Sequence, residues 1–136
     1  MRIINDIKTS GMKRIISTTA APGAIGPYSQ AVEINGTLYI SGQVPIDPAT
    51  GKMVEGGITE QTTQALKNIK SILAAAGYSL NDVVKSTCLL SDMSDFKAMN
   101  EVYAKFYTTD QPARAAFAVK GLPLGALIEI ETVAAK

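Results

Sequence analysis

Between residues 28 and 44 the chain alternates apolar and polar side chains in YSQAVEINGTLYISGQV, with one interruption at Asn35-Gly36. That alternation has the period of a strand with one buried face. Asn-Gly tolerates the two positive φ angles of a type I′ turn, so the segment predicts an antiparallel hairpin that opens the fold. DPATG at 47–51 and EGG at 55–57 are turn sequences, which leave room for at most a short third strand near Met53 and Val54. From Thr59, read as an N-cap, the period changes. Ala65, Leu66, Ile69, Ile72, Leu73 and Ala76 recur at helical spacing, and Gly77 closes a helix of about five turns. DVVKSTCLL is β-branched and short, hence a strand. Ser94 then reads as the cap of a second helix whose apolar stripe is Phe96, Met99, Tyr103 and Phe106. RAAFAV and LIEIETVA, joined by KGLPLGA, complete the order strand pair, helix, strand, helix, strand pair. This order predicts an α+β fold, a mostly antiparallel or mixed sheet with both helices on one face.

The composition narrows what such a fold can do. The 136 residues amount to about one domain. Met12-Lys13-Arg14-Ile15-Ile16 reads like a second beginning, so residues 1–11 are expected to be a leader without fixed structure and 12–136 the domain. Thirteen basic and twelve acidic side chains give a formal charge of +1 with no basic stripe, which argues against a nucleic-acid surface. There is no histidine, and Cys88 is the single cysteine. Serine–histidine and cysteine–histidine catalysis are therefore excluded, as are zinc sites built from those residues. Cys88 reads as a small buried residue, and a lone cysteine fits a reducing compartment. No apolar run reaches the ~18 residues of a membrane-spanning helix and no signal-peptide core precedes the domain, so a cytoplasmic location is expected.

Chemistry is left to carboxylates, arginine, hydroxyls and backbone. In QPARAAFAV, Arg114 shares a strand face with Ala116 and Ala118, away from Phe117. Such a guanidinium either pairs with a glutamate on a solvated sheet face or, among small neighbours, awaits an anionic ligand. In IEIETVA, Glu129 and Glu131 face away from Ile128 and Ile130. If the last two strands pair as a hairpin, an Arg and a Glu approach each other on the face away from Phe117 and the isoleucines. Gly26-Pro27-Tyr28 makes a tight entry to the first strand, and Ser41-Gly42 sets a hydroxyl beside a backbone N–H that is open to close approach. Asn100 lies mid-helix, where a surface role is the ordinary one.

GAIGPYSQAVEINGTLYISGQVPIDPATG, VVKSTCLLSDMSDFKAMNEVYAKFY and QPARAAFAVKGLPLGALIEIETVA together resemble the reactive intermediate deaminase (Rid, YjgF-like) family, in its RidA branch, from about residue 12 to 136. The resemblance implies a chorismate-mutase-like fold, a homotrimer with clefts between subunits, and no cofactor. It also implies hydrolysis of 2-imino acids, formed from 2-aminoacrylate and 2-aminocrotonate, to 2-keto acids and ammonia. By the same resemblance Arg114 binds the carboxylate, Glu129 activates water, and Tyr28, Ser41, Gly42 and Asn100 hold the substrate. Many relatives carry a cysteine where this chain has Ala116, which leaves only the backbone N–H at 116 as a ligand contact. Two other functions compete: a non-catalytic trimer that binds small carboxylates, and an RNA-cleaving translation inhibitor.

Overall fold

A computed structural model describes residues 11–136; of the expected leader, all but Gly11 lies outside the described residues. Among the described residues there are eight strands: β1 (Arg14–Ile16), β2 (Ala31–Ile34), β3 (Thr37–Gln43), β4 (Ile46–Asp47), β5 (Lys52–Met53), β6 (Val83–Leu90), β7 (Ala113–Ala118) and β8 (Ile128–Ala135). The α-helices of the described residues are α1 (Ile58–Ala76) and α2 (Phe96–Phe106). Six strands form one sheet in the order β1-β2-β3-β8-β6-β7, while β4 and β5 make a separate small hairpin. Within the large sheet only the β6–β7 pair is parallel. The α+β architecture expected from the sequence, two helices on a mixed sheet, is the one observed.

The opening hairpin forms as the pattern requires: Asn35 and Gly36 have φ of 49° and 79°, and Ala31 pairs with Ile40. The apolar stripe of α1 is fully buried against Leu38, Ile40, Ile128 and Ile130 of the sheet. Met99, Val102 and Tyr103 of α2 close the same core. Gly77 ends α1 in the left-handed conformation, as expected. Three expectations are corrected. Gly57, not Thr59, is the N-cap of α1, and its N–H donates to the Glu60 carboxylate at 2.8 Å, which is the half of a capping box that a glycine N-cap still permits. Ser94 does not cap α2; the Asp92 carboxylate accepts from the Ser94 N–H at 2.8 Å and starts a 3₁₀ turn from which the helix continues. The two final strands do not form a hairpin: β6 lies between β7 and β8, because the chain inserts its last strand into the middle of the sheet.

Candidate functional site

That insertion decides where the predicted site residues lie. On β6, Ser86 is in register with Arg114 on one side and Thr132 on the other, and Cys88 likewise with Ala116 and Ile130. Paired residues share a face, so Arg114 and Ala116 point with the isoleucines toward the helices. Leu89 is in register with both Phe117 and Glu129, which puts Glu129 on the opposite, open face. Within one chain Arg114 and Glu129 are therefore separated by the sheet. The expected approach of the two on one face is overturned, since a hairpin was assumed where β6 intervenes.

Arg114 forms one side of a recess of about 410 Å³ together with Asn100, Tyr103, Tyr107, Gln111 and Pro112. Its guanidinium carbon lies 4.8 Å from the ring centre of Tyr103 and 5.6 Å from that of Phe96. Among the described residues no carboxylate pairs with it. Asn100 carries a fully buried side-chain oxygen without a hydrogen-bond partner. The hydroxyls of Tyr103, Tyr107, Ser86 and Thr132 are buried behind it, with Ser86 beside both tyrosine hydroxyls. Burial pushes the Tyr103 phenol upward. It also raises the Cys88 thiol to about 11, against the pull of Arg114, so Cys88 is the inert core residue the sequence suggested. Ala116 does not line the recess; it packs on the core beside Cys88.

The second group gathers at a bulge. Ile40 pairs with Thr132 but Gln43 with Ile130, so Ser41 and Gly42 together stand opposite Glu131. A Cβ on Gly42 would overlap the Glu129 carboxylate, which shows how closely that side chain crosses the glycine backbone. Burial first, and the Glu131 charge second, raise the Glu129 carboxyl above its ordinary range. Arg114, on the other face, contributes nothing to that shift. Ser41 Oγ donates to the Ser29 carbonyl at 2.6 Å, and Gln43 reaches back to the Ser41 carbonyl at 3.0 Å. Tyr28 is half-exposed before β2, with its hydroxyl accepting from the Ile25 N–H at 3.3 Å.

Sequence reasoning missed the residues that hold these parts. Gln30 is buried and donates to the carbonyls of Thr18, Ala21 and Pro22 while accepting from Thr18 N–H at 2.7 Å, which fixes the loop that carries Tyr28. On α1, Asn68 donates to the Val44 and Ile46 carbonyls, and Gln61 accepts from the Leu127 N–H at 2.8 Å, next to the strand that carries Glu129. A signal for both existed, since each polar side chain interrupts the buried face of α1. Tyr103, on the apolar stripe of α2, is core and recess wall at once. No cluster of three or more acidic or cysteine ligands for a metal ion occurs among the described residues. No helix there is long and apolar enough to cross a membrane.

Residues 18–136 match the model of the family described as Endoribonuclease L-PSP. The chain is 53% identical over 126 residues to the 2-iminobutanoate/2-iminopropanoate deaminase of Mus musculus, covering 93% of each chain. Among solved structures, the Yersinia pestis protein YyfA, of the conserved Rid protein family, superposes with a TM-score of 0.88 at 45% identity, over 92% of this chain and 100% of that one. E. coli TdcF, solved with bound serine, superposes with a TM-score of 0.87 at 39% identity, over 90% of this chain and 98% of the other. With two separated polar clusters on this shared frame, the chain belongs to the Endoribonuclease L-PSP family of Rid proteins.

Proposed function

We propose that this protein is an imine deaminase that converts 2-imino acids and water into 2-keto acids and ammonia, in clefts formed between copies of the chain in a homotrimer. The observation that carries the reading is Arg114: a guanidinium lining a recess, held against aromatic rings, with no carboxylate partner among the described residues. A free fork of that kind matches a substrate carboxylate bidentately. The name of the mouse relative supplies the substrate class, and the serine bound by TdcF has a carboxylate and an amine on one carbon, as a 2-imino acid has a carboxylate and an imine.

Arg114 and Glu129 serve one reaction only if a second copy brings the open face of its sheet to the recess of the first. Exposed Ile15, Tyr39 and Phe117 on that open face support such burial, as does β7, an edge strand with a free side. In the cleft Arg114 anchors the carboxylate, with Asn100 beside it. From the other copy Glu129 takes a proton from water as its oxygen adds to the imine carbon. Glu129 passes that proton to the nitrogen, giving the carbinolamine, and then carries the hydroxyl proton to the nitrogen as the C–N bond breaks; ammonia leaves and the 2-keto acid remains. Ser41, the Gly42 N–H and Tyr28 orient the imine, and the backbone N–H of Ala116 offers a further contact. No step calls for a cofactor.

Threonine dehydratase coupled to excess lactate dehydrogenase and NADH tests this, because the rate of NADH loss then reports 2-oxobutanoate release. The wild-type protein is expected to accelerate it, and Arg114→Ala to abolish the acceleration while remaining folded. No acceleration by a folded wild-type protein would leave a carboxylate-binding module instead. An RNA-directed activity has less support: the chain has no histidine base and a formal charge of +1.

A further inference from the structure

An arginine side chain on an edge strand is ordinarily fixed by a carboxylate, which occupies the N–H donors that a ligand would need. Arg114 is fixed differently. Its guanidinium carbon lies over the rings of Tyr103 and Phe96, both from α2 and both within cation–π range. A guanidinium held against a ring by its flat face keeps its five in-plane N–H donors available to a ligand. The rings themselves are immobilised. Tyr103 is 6% exposed and packs on Tyr107 with ring centres 4.6 Å apart, and Phe96 rests partly buried on the core.

We propose that Tyr103 and Phe96 are positioning residues for Arg114, holding its guanidinium by the face so that its N–H edge stays free for the substrate carboxylate. This rests on the carboxylate-binding role of Arg114. The contribution of the rings is to remove the side-chain freedom that a long cation would otherwise lose on binding. The contact with Arg114 is made by the Tyr103 ring, while the hydroxyl is directed at Ser86 in the core, so the ring carries the effect.

The test is calorimetric titration of 2-oxobutanoate into the assembled wild-type protein and into Tyr103→Leu, Tyr103→Phe, Phe96→Leu and Arg114→Ala, far below their unfolding temperatures. Loss of one ring is expected to weaken binding about tenfold in Tyr103→Leu and severalfold in Phe96→Leu. Tyr103→Phe, which keeps the ring, is expected to restore it, a rescue that a lost buried hydrogen bond would not permit. If Tyr103→Leu does not fold, Phe96→Leu, at a less buried site, carries the decision. Wild-type affinity in the leucine variants, with binding lost in Arg114→Ala, would overturn the clamp and leave the site intact. Wild-type affinity in Arg114→Ala would overturn the site, and the clamp with it.

Discussion

Substituting alanine for Gly42 adds one methyl group where the Glu129 carboxylate now lies. The added Cβ would overlap a carboxylate oxygen, stand 2.9 Å from Cδ and 3.2 Å from Cγ, and meet no other group so closely. Gly42 is not among the residues with positive φ, so its backbone accepts alanine without strain. The group that must yield is the far end of a flexible side chain, which rotates away at little cost. Stability is therefore expected to change by less than ~1 kcal/mol, while the carboxylate moves by about 1 Å or more. A misplacement of that size costs on the order of 10²-fold in rate, or about 2.7 kcal/mol of transition-state stabilisation. The assay pairs steady-state kinetics on 2-iminobutanoate, generated in place, with thermal unfolding. The expected outcome is a large fall in kcat, a KM within a few-fold of wild type and an almost unchanged Tm. Full activity in Gly42→Ala would refute the argument, because the reaction would then not depend on where the Glu129 carboxylate lies.

The remaining predictions concern titration and stability. Because Glu129 must be ionised to take a proton from water, and its carboxyl is held above the ordinary carboxylate range, the acid limb of kcat/KM should lie above that range; Glu131→Gln, by removing the neighbouring charge, should move it to lower pH. A raised folded-state pKa stabilises below the unfolded value, and that contribution is lost as pH rises through the folded value. Glu129→Gln should therefore unfold at an equal or higher temperature than wild type at neutral pH even as turnover falls, and a marked loss of Tm would show the carboxylate to be structural. Arg14 donates to the Glu33 carboxylate at 3.0 Å and to the last α1 carbonyl, Ala76 O, at 2.9 Å. Arg14→Ala should cost about 1 kcal/mol after allowance for its exposure, or about 2–5 °C of Tm, with kcat unchanged in the coupled assay.

The local architecture was readable because its signals are local. The Asn35-Gly36 turn, the α1 stripe and the stop at Gly77 each depend on residues a few positions apart. What was not readable depends on partners far along the chain. Whether β7 pairs with β8 or with β6 is settled by how sheet and helices pack as a whole, and that choice moved Arg114 from the face of Glu129 to the opposite one. The caps failed for a related reason: at Gly57 and Asp92 the capping carboxylate belongs to a different residue from the serine or threonine that the pattern favours. Ser41, Gly42 and Glu129 could be named through family resemblance, but their meeting at a bulge required the β3–β8 register. Gln30, Gln61 and Asn68 show what polar residues interrupting a buried face signify here: each satisfies loop or strand backbone that has no sheet partner.

The central claim, that Arg114 of one copy and Glu129 of another make one site, is tested most directly by mixing two inactive variants. Arg114→Ala and Glu129→Gln chains, unfolded together and reassembled at equal proportion, should regain about a quarter of the wild-type rate in the coupled assay, since a cleft of a cyclic assembly is intact when it draws the arginine from one variant and the glutamate from the other. Activity no higher than the sum of the two separate variants, with mixed assemblies demonstrated by mass, would contradict the claim that the two residues share one cleft.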